Sequence, residues 1–155
     1  MRERRRLWQK GWPEHPGLRG EAEIVVPFQD ADPTGMAWHG NYFRYYDAAR
    51  VQLLGKLGFG YRDMAAAGQI WPVVETRVRY ARSLRFGEQV TVTAQLVEWE
   101  FRLRIHYTIC TADGLLANEA VTVQVPVASA TETIVLGSPS WLLARIDALI
   151  SAPPG

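Results

Sequence analysis

Apolar side chains follow two different periods along this chain. Between residues 40 and 57 they recur at steps of three and four, which is the spacing of one face of a helix. The residues on that face are Tyr42, Tyr46, Ala49, Leu53 and Leu57. Glycines at positions 58 and 60 follow, and glycine commonly ends a helix. The pattern predicts a long helix over residues 40–57 and one or two further helical turns over 61–67.

The second half of the chain has the period of two that is typical of strands. Strands are predicted over residues 70–82, 89–99, 101–111 and 115–128, and an earlier one over 20–29. Ala112-Asp113-Gly114 is a hairpin signal between the last two of them. The four later strands are therefore predicted to be antiparallel and joined by three consecutive hairpins. Ser138-Pro139-Ser140 predicts the start of a short C-terminal helix.

This order of elements predicts an α+β domain in which an antiparallel sheet wraps around one long central helix. We expect that single domain to span residues 19–150. One helix cannot cover all the faces and edges of such a sheet, so a homodimer or homotetramer is expected. Residues 1–20 hold six basic and two acidic side chains, and residues 1–18 are predicted to form a basic, flexible arm.

Composition narrows the class of protein. The 155 residues include 48% hydrophobic side chains but no apolar run of 18 residues, so no membrane span is expected. Residues 1–20 carry a charge of about +4 and the whole chain +1, so the remainder is acidic, which argues against nucleic-acid binding. No apolar segment follows the N-terminal arginines, so a secretory signal is not expected. The single cysteine, Cys110, predicts no internal disulfide and a reducing, cytoplasmic location.

The candidate chemistry lies just ahead of the long helix. Asp32 is on an Asp-Pro-Thr-Gly turn, close to the point where free helix N–H groups are expected. Those N–H groups can stabilise an oxyanion, while an ionised carboxylate can attack a carbonyl carbon or activate water. Asp30 is a competing carboxylate, and a purely structural turn or cap is the alternative for Asp32. The three histidines and one cysteine are too widely spaced for a metal site, and no glycine-rich nucleotide loop is present, so no cofactor is expected.

Three segments together carry a family resemblance. They are Asp32-Pro33-Thr34-Gly35, Trp38-His39-Gly40-Asn41-Tyr42 and Tyr46-Asp47-Ala48-Ala49-Arg50, supported by Tyr80-Ala81-Arg82 and Phe86-Gly87-Glu88. This pattern resembles the 4-hydroxybenzoyl-CoA thioesterase family, whose members are hotdog-fold acyl-CoA thioesterases. The resemblance covers roughly residues 20–128. It implies that Asp32 is the catalytic carboxylate, that the backbone N–H of His39 is the oxyanion donor, and that Gly40 allows the substrate to approach closely.

The resemblance suggests a substrate contact for Asp47, the residue types suggest others, and each has a plainer alternative. Asp47 would accept a hydrogen bond from a phenolic acyl group, or it would only pair with Arg44 or Arg50 on the helix. The His39 side chain would assist the reaction or only line the entrance. Trp38, Tyr42 and Tyr46 would contact an aryl or polyketide acyl chain, or would be packing residues. Arg82 and Arg85 would bind the CoA phosphates, or would belong to a solvated strand face.

The rival functions differ in reaction or in substrate carrier. A hotdog dehydratase would need a closely spaced Asp and His, and here Asp32 and His39 are separated by Pro-Thr-Gly-Met-Ala-Trp. A thioesterase acting on acyl carrier protein would use the same Asp32 with a different docking surface. A non-catalytic acyl-binding protein would not need a carboxylate beside the carbonyl. The sequence favours acyl-CoA hydrolysis without naming the acyl group, and without deciding whether Asp32 is a nucleophile or a base.

Overall fold

The helices and strands follow the predicted order. The computed structural model describes residues 11–153. The strands are β1 (Arg19–Val25), β2 (Gln69–Ile70), β3 (Val73–Tyr80), β4 (Gln89–Glu98), β5 (Leu103–Thr111), β6 (Leu116–Gln124), β7 (Val127–Ala128) and β8 (Thr133–Ile134). The helices are α1 (Tyr42–Lys56), α2 (Tyr61–Ala66) and α3 (Ser140–Ser151). Two predicted strands are each broken in two, at Pro72 and at Pro126, because proline has no N–H to donate to a neighbouring strand.

Five strands form one antiparallel sheet in the order β1-β4-β5-β6-β3. The β4–β5 and β5–β6 pairs are the predicted hairpins. The third predicted hairpin is wrong, because β3 pairs with β6 and the chain then crosses to place β4 beside β1. Alternation identifies the faces of a strand but not its neighbours. The crossing leaves β3 at one edge of the sheet.

Helix α1 lies across the inner face of the sheet, mainly over β1 and β4. Its buried side chains meet the inward residues of the central strands, among them Val92, Ala94, Ile105 and Ile109. Leu53, at the centre of this contact, has no exposed surface. Truncating such a leucine to alanine typically costs about 2–5 kcal/mol. This arrangement of one sheet around one helix is the predicted α+β hotdog domain.

The outer face of the sheet is covered in part by the N-terminal segment. Residues 1–10 of the predicted arm lie outside the described residues. Residues 11–18 lie against the sheet: the Gln95 amide donates to the carbonyls of His15 and Leu18, at 3.0 and 3.1 Å. The Trp12 ring packs 5.5 Å from that of His106, centroid to centroid. The predicted domain boundary at residue 19 stays a prediction, but this part of the arm contacts the domain.

Strand β3 has a free edge within residues 11–153. Seven of its eight residues are exposed, whereas β6 beside it is almost entirely buried. An exposed strand edge offers unpaired N–H and C=O groups to another chain. No helix in the described residues is long and apolar enough to cross a bilayer.

Candidate active site

Asp30 anchors the entry to helix α1. It is 2% exposed, and both of its carboxylate oxygens are occupied. Tyr45 donates its hydroxyl to Oδ2 at 2.7 Å, and the Arg44 guanidinium donates to Oδ1. The backbone carbonyl of Asp30 accepts the Trp38 N–H and the Asn41 side-chain amide, both at 2.9 Å. Asp30 therefore ties the end of β1 to the first turn of α1, which is a structural role.

Asp32 begins a tight turn two residues later. Its carbonyl accepts the Gly35 N–H at 2.9 Å, and its own N–H donates to the Met36 carbonyl at 2.8 Å. Gly35 has a φ of +81°, a conformation that glycine adopts without strain. A type I turn followed by such a glycine closes a three-residue hairpin loop, and Asp-Pro-Thr-Gly fits that sequence. The turn therefore holds the Asp32 backbone in one place.

The carboxylate of Asp32 remains accessible. Thr34 donates both its backbone N–H, at 2.8 Å, and its hydroxyl, at 2.5 Å, to the same oxygen, Oδ1. The side-chain bond from Thr34, followed by the backbone bond, lowers the pKa of Asp32 below its usual value. Asp32 is thus ionised at neutral pH, and unlike Asp30 it is not sealed in the core.

The helix entry follows directly. Residues His39–Asn41 form one 3-10 turn, and α1 begins at Tyr42 rather than at Gly40. The first N–H groups of a helix have no acceptor within it and carry partial positive charge. The ring of Trp38 lies on Gly40 so closely that a Cβ there would fall 2.2 Å from a ring carbon. A side chain at position 40 would therefore displace the Trp38 ring, which is half exposed and can move.

An accessible carboxylate on a rigid turn thus precedes a helix N-terminus. Residues 26–147, which contain both, match the family model described as the thioesterase-like superfamily. The chain belongs to this superfamily.

Several named proteins resemble the chain at moderate identity. A Bacillus subtilis (strain 168) protein with the provisional name acyl-CoA thioesterase YneP is 31% identical over 101 residues, which are 64% of this chain and 73% of that protein. The 1,4-dihydroxy-2-naphthoyl-CoA hydrolase of Thermosynechococcus vestitus is 28% identical over 93 residues, 58% of this chain and 63% of that protein. The crystal structure of DHNA-CoA thioesterase from Staphylococcus aureus is 28% identical, covers 84% of this chain and 92% of its own, and superposes with a TM-score of 0.74.

These relationships confirm two predictions made from the sequence. The hotdog fold is shared with the superfamily, and the chain is a thioester hydrolase. The narrower resemblance to the 4-hydroxybenzoyl-CoA thioesterases stays a prediction, as does every residue role.

The predicted aromatic residues lie around the helix entry. Tyr42 and Tyr46 are buried, at 2% exposure each, and so contribute to the core as well as to any acyl contact. Sequence reasoning gave no role to Tyr80, whose hydroxyl donates to the His39 carbonyl at 2.7 Å. The Tyr80 ring also meets that of Tyr42 edge-on, with 4.9 Å between centroids. Tyr80 therefore connects the edge strand β3 to the 3-10 turn of His39.

Asp47 pairs with Arg50, one of the two arginines that the sequence offered as its partner. Its carboxylate lies 2.9 Å from the Arg50 guanidinium, one helical turn on, while Arg44 is engaged by Asp30 instead. Asp47 is more than half exposed, whereas the Arg50 side chain is 11% exposed. The ion pair does not exclude an acyl contact, because one carboxylate can accept several hydrogen bonds.

The two arginines proposed for CoA phosphates differ in position. Arg85 forms a β-bridge with Met36, so it lies beside the turn of Asp32. Arg82 follows β3, where its N–H donates to the Ala117 carbonyl at 2.8 Å. Both side chains are exposed. The structure therefore brings Arg85 close to the candidate carboxylate and leaves Arg82 at the end of the edge strand.

Asn118 is the buried polar residue that the sequence reasoning missed. It has no exposed surface, and its Oδ1 accepts the hydroxyl of Tyr46. Its register on β6 places it opposite Tyr80 on β3 and Ile109 on β5. The available signal was an asparagine at an inward position of a strand whose next inward residue is Ala120.

Proposed function

We propose that Asp32 is the catalytic carboxylate of an acyl-CoA thioesterase. The observation that carries this proposal is the contrast between the two aspartates at the helix entry. The Asp30 carboxylate is buried and accepts hydrogen bonds from two side chains. The Asp32 carboxylate is accessible and ionised, and it is held by its own turn. A thioester has an electrophilic carbonyl and a good leaving group, so a positioned carboxylate is sufficient to start its hydrolysis.

Two routes use the same carboxylate. In the first, an Asp32 oxygen attacks the carbonyl carbon, the CoA thiolate leaves, and water then hydrolyses the mixed anhydride and restores the carboxylate. In the second, Asp32 takes a proton from water while that water attacks the carbonyl carbon, and the departing thiolate then receives the proton. In both routes the carbonyl oxygen becomes negative, and the N–H groups of His39 and Gly40 are suited to stabilise it.

The remaining substrate contacts complete the proposal. Trp38, Tyr42 and Tyr46 would line the acyl path, with Asp47 near its polar end. Arg85, and more weakly Arg82, would meet the CoA phosphates, because their exposed guanidinium groups suit anions. CoA enters as part of the substrate, and no separate cofactor is required.

Assembly into a dimer through β3 is part of the same proposal. The free edge of β3 favours pairing with the same strand of a second copy. Tyr80 on that edge is bonded to the backbone of His39, so the helix entry would lie next to the partner subunit. The active sites would then be formed between subunits, in a dimer or in a tetramer of two dimers.

A substrate panel tests the activity. Purified protein is incubated with aryl, short-chain, medium-chain and long-chain acyl-CoAs, and release of the free thiol is followed. We expect hydrolysis of at least one class with a kcat/KM above about 10⁴ M⁻¹s⁻¹, the lower end of ordinary enzyme efficiency. If no acyl-CoA is hydrolysed while an acyl carrier protein thioester is, the carrier protein is the substrate and the CoA assignment is wrong.

A further inference from the structure

A group of polar side chains lies between α1 and the inner face of β5 and β6. We call this group the polar cluster, and it consists of Tyr46, Asp47, Arg50, Tyr107, Asn118 and Thr122. The rings of Tyr46 and Tyr107 are 5.0 Å apart, and Thr122 donates to the Tyr107 hydroxyl at 3.4 Å. Asp47 and Arg50 close the cluster on the helix side, at the point where it reaches the surface.

The charges of the cluster act on Tyr107. Burial raises the pKa of Tyr107 to about 12, the positive charge of Arg50 lowers it, and the negative charge of Asp47 raises it. Arg50 follows Tyr46 by one turn of α1, and the Tyr46 ring is 5.0 Å from that of Tyr107, so the ion pair lies on the side of the helix that faces the phenol. The Tyr107 hydroxyl therefore stays protonated at every pH at which the enzyme would work.

The unpaired atoms of the cluster are donors. The Nη2 of Arg50 lies 2.9 Å from the Asp47 carboxylate and donates to the Tyr61 hydroxyl at 2.7 Å. The Nε of Arg50 is buried without a hydrogen-bond partner among the described residues. The Nδ2 of Asn118 is likewise buried and unpartnered within residues 11–153. Buried donors in proteins are nearly always paired, so two unpaired donors in one cluster point to an acceptor that residues 11–153 do not supply.

We propose that the polar cluster is the acyl-recognition end of the site, and that Arg50 and Asn118 select acyl groups that carry a hydrogen-bond-acceptor oxygen. This inference rests on the proposed acyl-CoA thioesterase function. Asp47 then acts as a positioning residue, because its ion pair with Nη2 holds the guanidinium whose Nε is buried. This preference for an acceptor oxygen distinguishes the proposal from a site in which Asp47 itself accepts a hydrogen bond. Such a site would bind any acyl group that carries a hydrogen-bond donor.

Ring substituents of similar size separate the two kinds of recognition. A phenolic hydroxyl can accept a hydrogen bond, whereas an aromatic amine donates well and accepts poorly. The probes are S-phenacyl-CoA thioethers with hydrogen, hydroxyl or amine at the meta or para ring position. A thioether cannot be hydrolysed as a thioester, so calorimetry measures binding whether or not the protein hydrolyses acyl-CoA.

Wild-type protein is expected to bind one hydroxyl probe at least about tenfold tighter than the matching amine and unsubstituted probes, a difference of about 1.4 kcal/mol. Equal binding of the hydroxyl and amine probes would assign recognition to Asp47 and overturn the proposal. Failure of every probe to bind would also overturn it.

Two variants locate the effect. Arg50→Lys keeps the positive charge beside Asp47 but removes the Nε donor, so the hydroxyl-to-amine ratio should fall toward one. Asn118→Leu removes the second donor, together with the acceptor of the Tyr46 hydroxyl, while keeping the number of heavy atoms; it should lower the same ratio, with circular dichroism to verify folding. Arg102→Met, which breaks a surface pair with Glu98, is the control and should leave the ratio unchanged. An unchanged ratio in both folded cluster variants would contradict the proposal, even if acyl-CoA hydrolysis is observed.

Discussion

Replacing Asp30 by asparagine should destabilise the protein, while the same change at Asp32 should not. Asp30 is buried at 2% exposure and accepts a hydrogen bond from the Tyr45 hydroxyl at 2.7 Å as well as one from Arg44. The Arg44 side chain is 61% exposed, so losing that pair costs only about 0–1 kcal/mol. Losing the bond to buried Tyr45 costs more, about 1–3 kcal/mol, because its hydroxyl can lose its acceptor.

The expected total for Asp30→Asn is therefore about 1–3 kcal/mol of the free energy of unfolding. Among residues 11–153, Asp32 bonds only to its own turn, so Asp32→Asn should change that free energy by no more than about 0.5 kcal/mol. Urea unfolding followed by tryptophan fluorescence and by far-ultraviolet circular dichroism measures both variants. A larger loss for Asp32→Asn than for Asp30→Asn would refute the division of roles between the two carboxylates.

Three further predictions concern the turn, the helix entry and the assembly. Thr34→Val removes the side-chain bond that most lowers the pKa of Asp32, so that pKa should rise and the acid limb of the pH–kcat/KM profile should move to higher pH. An unmoved limb would show that Asp32 ionisation does not control the rate. Gly40→Ala should displace the Trp38 ring and lower kcat/KM by about tenfold or more, whereas a rate near wild type would show that the ring and the amide are not used. Light scattering at micromolar concentration should show a dimer or tetramer, and a wild-type monomer would exclude the proposed interface. Arg77→Pro, at an exposed position of the edge strand β3, should shift the measured mass toward that of a monomer.

Local patterns predicted the parts of the fold that depend on local sequence. The alternation over residues 89–99 and 101–111 gave β4 and β5, and the glycine after Asp113 gave the turn before β6. The Asp-Pro-Thr-Gly segment gave the Asp32 turn, because that sequence closes a hairpin loop through its own backbone. Such features need no information about the rest of the chain.

Contacts between distant segments could not be predicted in the same way. Tyr80 and Asn118 are neighbours only because β3 pairs with β6, and the pattern within either strand does not specify that pairing. Tyr46 then reaches Asn118 from α1, which brings a third segment into the polar cluster. The polar outer face of the sheet was visible as alternation, but its burial depends on Trp12 and His15 lying over it.

The role of Asp32 is tested most directly by comparing kcat/KM of wild type and Asp32→Asn on the best acyl-CoA of the substrate panel. Asp113→Asn, a change at an exposed hairpin position, is the matched control and should keep nearly full activity. Removing a catalytic nucleophile or base typically costs several orders of magnitude in rate, so we expect Asp32→Asn to lose about 10³-fold or more with its fold intact. An Asp32→Asn protein that retains a tenth or more of wild-type turnover would contradict the assignment of Asp32 as the catalytic carboxylate.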